Sequence, residues 1–283
     1  MAPADYSFLV SLLRKQTGIS LTDDKAYLLE SRLIPLATSL GHADLPTLVH
    51  ELRKNPGAIL AHRVCDAMTT NETLFFRDTA PFTALSDHLL PAASERARTE
   101  GRAVRIWSAA CATGQEAYSM SMTAESLAAK LGDVAVEILA TDFSPTALAR
   151  ARAGTYSQFE VQRGLPINNL LRYFRESSDG FTVSDELKRR IKFSEVNLLH
   201  DFSHHGKFDI VFIRNVLIYF DVSAKQDVLE RIARQLHPGG TVVLGGTETT
   251  LGITSKLTRH ATLVAPVYVA ADSLEMFRAA RAQ

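Results

Sequence analysis

The stretch that decides the fold is Val104 to Tyr118, VRIWSAACATGQEAY. Val104-Arg105-Ile106-Trp107 is a short apolar and β-branched run. It opens into small residues, Ser108 to Thr113, before Gly114 and a segment of helical character from about Gln115. A doubly wound α/β sheet uses this order of strand, tight loop and helix to hold a nucleotide-like ligand. Small residues let the backbone approach the ligand, and the helix N-terminus offers free N–H groups. Glu116, in the first turn, suits the helix dipole but repels a pyrophosphate. With one glycine in place of the G-x-G-x-x-G trio, the ligand indicated carries hydroxyls and a positive charge rather than a phosphate. The same residues also fit an ordinary strand-to-helix turn, so the flanking chain has to decide.

Downstream, strands and helices alternate. Val136 to Ala140 is a second strand ending in Thr141-Asp142, and Ser144-Pro145 opens a helix that runs to about Ala153. An acid at the end of the second strand is where this class of sheet takes the hydrogen bonds of a ribose diol; otherwise Asp142 is a turn residue. Residues 155–190 break the rhythm: Leu170, Leu171, Tyr173 and Phe174 are apolar, Ser177 to Gly180 is a turn, and Phe181 to Val183 suits a strand. They read as a small, partly β insertion. Strands are then expected at Ile191–Val196, followed by Asn197-Leu198-Leu199, and at Phe208–Ile213, which delivers Arg214 to Phe220. A helix from Ser223 to Gln235, a turn at Pro238-Gly239-Gly240, a strand at Thr241–Leu244 and a closing pair around Leu263 and Val267–Ala270 complete the pattern. Right-handed crossovers set Ser108, Asp142, Asn197 and Asn215 along one sheet edge, within reach of one ligand.

Upstream, the chain is helical. Phe8, Leu9, Leu12 and Leu13 share a face, as do Leu28, Leu29, Leu33 and Leu36, with Ser20 or Thr22 as a cap. A third helix around Leu45 to Leu52 stops at Asn55-Pro56-Gly57, and a fourth covers Ala58 to Met68. Lys25, Arg32, Arg53 and Lys54 form either a solvated surface or a contact for an acidic helical partner. Between the two parts lies Thr69-Thr70-Asn71-Glu72-Thr73-Leu74-Phe75-Phe76-Arg77-Asp78. This segment fits a helix cap with an aromatic anchor, and its place at a seam makes Asn71, Thr73 and Arg77 candidate ligand contacts.

Bulk properties limit the function. The 283 residues, 46% hydrophobic and 22% charged, suit a globular protein with a real core. Lys plus Arg and Asp plus Glu both number 31, so the chain as a whole has no pull on nucleic acid or anionic membranes. Cys65 and Cys111 are expected to be reduced and structural, and no metal is expected. The N-terminus lacks a signal-peptide pattern and no run reaches membrane-span length, so a cytoplasmic protein without direct membrane insertion is expected.

With these residues placed, nearly the whole chain resembles the chemotaxis receptor protein-glutamate O-methyltransferase (CheR) family. The resemblance rests on NETLFFRD at Asn71 to Asp78, RIWSAACATGQEAYS at Arg105 to Ser119, ATDFS at Ala140 to Ser144, VNLL at Val196 to Leu199 and FIRNVLIYF at Phe212 to Phe220. It implies a Rossmann-like methyltransferase domain (76–283) with a β-subdomain inserted at about 172–190, behind an N-terminal helical domain (1–75). It implies S-adenosylmethionine as cofactor and S-adenosylhomocysteine as product. By resemblance, Asn71, Thr73 and Arg77 reach over the cofactor's methionine end, Glu116 lies by its amino acid part and Asp142 holds the ribose. Asn197 and Leu198 flank the adenine, Asn215 and Val216 line the fourth strand, and Arg77 and Tyr219 are the catalytic candidates. The implied partner is the cytoplasmic helical part of a chemoreceptor, methylated on glutamate. Two departures matter. The segment Arg175 to Gly180 is short with one glycine, so no receptor C-terminal tether is expected, and Ser144 stands where a further acid is common. The cofactor site does not itself choose the acceptor, so another protein, a small molecule or a non-catalytic sensor role stay open.

Overall fold

Helical periodicity at the start of the chain produces α1 (Pro3–Thr17), α2 (Ala26–Ser39), α3 (Leu45–Lys54) and α4 (Ile59–Met68). Leu9, Leu13, Leu29, Leu33, Leu48 and Val64 fill a core that these helices share. The Asp44 carboxylate caps α3, accepting from Thr47 N at 2.8 Å. Neither Ser20 nor Thr22 caps α2, whose N-cap is Lys25 without a side-chain bond. Ser20 instead donates its backbone N–H to the Tyr219 carbonyl at 3.0 Å, because the segment before α2 turns toward the sheet. The computed structural model describes residues 1–22, 25–57 and 59–271. Ala58, the expected start of the fourth helix, and residues 272–283 of the expected second domain lie outside the described residues.

After the linker come α5 (Thr79–Ala84) and α6 (Leu90–Thr99), joined by a π-turn at Leu85–Leu89. The strands are β1 (Val104–Ala109), β2 (Val136–Asp142), β3 (Thr155–Tyr156), β4 (Phe174–Ser177), β5 (Gly180–Val183), β6 (Ile191–Glu195), β7 (Phe208–Ile213), β8 (Leu236–Leu244), β9 (Leu257–Arg259) and β10 (Val267–Ala270). The main sheet runs β6-β2-β1-β7-β8-β10-β9, parallel from β6 to β8 and antiparallel through β10 and β9. Strand alternation feeds two cores: Val104 and Ile106 of β1 face one, Trp107 and Ala109 the other. This is the expected α/β, Rossmann-like arrangement with a helical layer added.

The helix after β1, α7 (Gln115–Ser126), is buried from Gln115 through Ala124 although it is rich in Ser and Thr. Their hydroxyls are satisfied locally: Ser119 donates to Gln115 O at 2.7 Å, Thr123 to Ser119 O at 2.8 Å, and Ser121 to Leu187 O at 3.0 Å. The insertion forms a separate sheet, β3-β5-β4. Two further expectations fail. Pro238-Gly239-Gly240 is not a turn between elements but part of β8, where Phe208 pairs with Leu236 and Ile210 with Thr241, so His237 to Gly240 bulge opposite Asp209. A bulge tolerates a proline because its N–H is not needed in the ladder. Leu263 lies outside any strand; the partner of β10 is β9, with Tyr268 opposite Arg259.

Candidate active site

The sheet order reverses at β1, flanked by β2 and β7, and a crevice opens where the loops on either side diverge. It holds about 210 Å3. Its floor comes from Ala110 and Ala112 after β1, Asp142 and Phe143 at the end of β2, Leu198 after β6 and Asn215 after β7. Its roof is the other layer: Ile19 and Leu21 before α2, Leu28 and Arg32 on α2, and the linker.

The sequence-predicted residues Asn71, Thr73, Arg77, Glu116, Asp142, Asn197, Leu198, Asn215, Val216 and Tyr219 all line this crevice. Ser108 does not. It is fully buried, and its hydroxyl donates to Glu116 Oε1 at 2.8 Å, since β1 alternation turns that side chain toward α7. Ser108 therefore acts on any ligand only through Glu116.

The surroundings of Glu116 contain a residue to which sequence reading gave no role. Arg214, its side chain 1% exposed, donates from Nη1 to Glu116 Oε2 at 2.9 Å. From Nη2 it donates to Asp78 Oδ2 at 2.9 Å and to the Arg77 carbonyl at 2.8 Å. The available signal was an arginine ending the most apolar strand, which burial obliges to find acids. One cation between two acids leaves a negative surplus beside the crevice.

Asp142 is 7% exposed and accepts backbone N–H bonds from Ala112 at 2.8 Å and Ser144 at 2.9 Å. Burial pushes its carboxyl above the usual range, against the lowering effect of those two bonds. Ser144 is the N-cap of the helix Pro145–Ala153, accepting from Ala147 N at 3.0 Å. Asn71 Nδ2 bonds Thr69 Oγ1 at 3.0 Å and Ser144 Oγ at 3.4 Å, tying the linker to the end of β2. The amide of Asn197 is occupied, donating to the Gln16 carbonyl at 2.6 Å and accepting from Leu199 N at 3.0 Å. Cys111 lines the crevice as a buried thiol, raised well above its ordinary value by burial and then by Asp142 and Glu116, so it stays protonated.

The linker is braced from three sides. Phe75 is fully buried, edge-on to Tyr156 at 5.0 Å and Phe174 at 5.6 Å in the inserted unit. Gly164 of that unit leaves no room for a β-carbon beside the Phe75 carbonyl oxygen. The Phe76 N–H donates to Ser119 Oγ at 3.0 Å. Arg32, expected on an outer surface, supplies the third brace: Nη1 donates to the Met68 and Thr69 carbonyls at 2.6 and 3.0 Å, and Nη2 to Thr70 Oγ1 at 3.0 Å. Arg53 and Lys54 bond to Asp5 and Glu51, so the four cations do not make one free surface.

Backbone strain gathers in the same place. Among the described residues the non-glycine positive φ angles are those of Phe76 (49°), Asp78 (56°), Ala110 (60°), Ala112 (49°) and Asn215 (59°), all on the linker or the crevice loops. Such conformations cost on the order of 1–3 kcal/mol each and persist where the surroundings over-determine them. A groove with two buried acids and apolar Phe143 and Leu198 fits a ligand carrying an ammonium, a diol and a flat apolar base.

Comparison with known proteins agrees with that chemistry. Residues 4–69 match the family described as CheR methyltransferase, all-alpha domain, and residues 71–263 the CheR methyltransferase, SAM binding domain. The chain is 42% identical over 255 residues to a chemotaxis protein methyltransferase of Vibrio parahaemolyticus, covering 89% of this chain and 91% of that one. It is 43% identical over 251 residues to chemotaxis protein methyltransferase 1 of Pseudomonas aeruginosa, covering 87% and 90%.

Proposed function

The chain belongs to the CheR methyltransferase family, an S-adenosylmethionine-dependent enzyme of chemotaxis, and on that premise we propose that it esterifies glutamate side chains on the cytoplasmic helices of chemoreceptors. The observation that carries the reading is the meeting of two buried acids, Glu116 and Asp142, with Arg77 and Tyr219 in one crevice roofed by the linker. When bound, the cofactor supplies a methyl group on a positively charged sulfur. Glu116 takes its ammonium and Asp142 its ribose diol. Leu198 and Phe143 border the base, and Asn71, Thr73, Asn197, Asn215 and Val216 complete the lining.

A glutamate side chain, of pKa about 4.3, is ionised at neutral pH, so the acceptor needs no general base. What remains is alignment and the exclusion of water. Arg77 retains donors for a carboxylate, since among the described residues its one side-chain bond is a 3.3 Å contact from Nη1 to the Glu72 carbonyl. Tyr219 stands on a single 3-10 turn, Leu217–Tyr219, whose last carbonyl is pinned by Ser20. We assign Arg77 to orienting the acceptor carboxylate and Tyr219 to positioning by its hydroxyl.

β4 and β5 are joined by Ser178-Asp179 alone, Ser177 pairing with Gly180, which supports a reading without a receptor tether. Calorimetric titration with a receptor C-terminal peptide is expected to show no binding, and tight binding would overturn that reading. On this reading the reaction takes place in the cytoplasm. Incubation with methyl-labelled S-adenosylmethionine and a receptor cytoplasmic fragment tests the whole: a glutamyl methyl ester releases its label as methanol in mild base. Base-stable label means another acceptor, and no label means a protein that binds the cofactor without turnover.

A further inference from the structure

The crevice wall at Asn215 is held from behind by a residue outside the crevice lining. Asn215 follows β7 with φ +59°, a left-handed backbone that a non-glycine residue keeps only where something fixes it. Its N–H donates to Glu248 Oε2 at 2.8 Å, and the Gly245 N–H donates to the same oxygen at 2.8 Å. Glu248, 7% exposed, closes a turn after β8 by donating its own N–H to the Gly245 carbonyl at 3.0 Å. A β-carbon at position 245 would lie 2.7 Å from Glu248 Oε2 and 3.0 Å from both Asn215 N and Asn215 Nδ2, so glycine is what lets the three groups meet. Glu248 Oε1 is buried without a partner among the described residues. A buried carboxylate with an unpaired oxygen destabilises a fold. A local rule broken beside a ligand crevice points to function rather than stability.

We propose that Glu248 is a positioning residue for cofactor binding. Its carboxylate fixes the left-handed backbone at Asn215 through a charge-assisted bond and so sets the direction in which Asn215 meets the cofactor. The inference rests on the reading of Asn215 as a cofactor contact, and the experiment separates the two. S-adenosylhomocysteine is titrated calorimetrically into the full chain as wild type, Glu248→Ala, Glu248→Gln, Asn215→Gly and the double variant Glu248→Ala/Asn215→Gly, each well below its unfolding midpoint. Glu248→Ala raises Kd about tenfold, and Glu248→Gln, which keeps an acceptor in place, stays within about threefold of wild type. Asn215→Gly tolerates the left-handed backbone but loses the side chain, weakening binding about tenfold. Adding Glu248→Ala to it changes Kd by less than about twofold, because what Glu248 positions is already gone. Losses that multiply to about 100-fold overturn the proposal, since independent effects add in free energy. Wild-type affinity in Glu248→Ala beside a weakened Asn215→Gly overturns the positioning and leaves the site reading intact. Wild-type affinity in Asn215→Gly overturns that reading and the positioning with it.

Discussion

Of the arginines that line the crevice, Arg214 and Arg77 answer to different forces. The Arg214 guanidinium is enclosed between Glu116 and Asp78, and removing it strands the Glu116 carboxylate in a buried setting. Breaking a buried pair in this way costs about 3–5 kcal/mol. Arg214→Met is therefore expected to lower the urea unfolding midpoint by a corresponding amount, and a wild-type midpoint would show that water replaces the pair. Arg77 holds the protein together far less, through a 3.3 Å bond to the Glu72 carbonyl. Arg77→Ala should leave stability within about 0.5 kcal/mol and lower kcat by about 100-fold, the order expected when an orienting electrostatic group is lost. Steady-state kinetics indistinguishable from wild type would remove Arg77 from the acceptor site.

At the scale of elements, Asp221 links the sheet's loops to the helical layer. It caps the helix Val222–Arg234, accepting from Ala224 N at 2.9 Å, and pairs with Arg14 of α1 at 2.7 Å. The Ala224 N–H first, then the Ser223 hydroxyl and Arg14, hold its carboxyl well below the ordinary range. A depressed pKa stabilises the fold above the ordinary value of 3.8 and loses that effect as pH falls through the window beneath it. Asp221→Asn keeps the cap but not the charge, so its deficit against wild type at pH 7 should shrink at pH 3. Asp221→Ala should lie about 1 kcal/mol lower still at pH 7, the worth of a cap. Urea midpoints at both pH values decide, and a deficit that ignores pH would remove the charge from the account. Local signals of this kind made much of the fold legible: Ser144-Pro145 marked a helix start, and a short apolar and β-branched run marked β1. The β8 bulge was not legible, because proline and glycine signal a turn unless the partner strand is known. In the site, Asp142 at a strand end and Glu116 in a helix's first turn could be read, whereas Ser108 behind Glu116 and Arg32 under the linker depend on which neighbour a side chain meets.

At the scale of the molecule, the crevice lies between the helical core and the two cores of the sheet, and the polar ties at its rim are modest. Arg14–Asp221, His62–Glu195 at 3.0 Å and the Thr146 hydroxyl on Asp66 at 2.6 Å are partly or wholly exposed, and such pairs contribute about 0–1 kcal/mol each. The three cores, by contrast, are buried and apolar. The joint should therefore open at lower free energy than any of them, and a ligand touching floor and roof should close it. At 100 times its Kd, such a ligand adds about 2.7 kcal/mol to the stability of the state that binds it. Hydrogen exchange with S-adenosylhomocysteine should consequently slow not only in the loops after β1, β2 and β7 but also at Ile19 to Leu21 and Thr69 to Thr73, which line the opposite wall. Protection of α1 and α4 should rise with them, since those helices carry Arg14, His62 and Asp66. Slowing confined to the sheet's own loops would mean that the helical layer is a neighbour of the cofactor site and not a wall of it. The assignment of Asn71, Thr73 and Arg77 to the bound cofactor would fall with that result, while Glu116 and Asp142 would keep theirs.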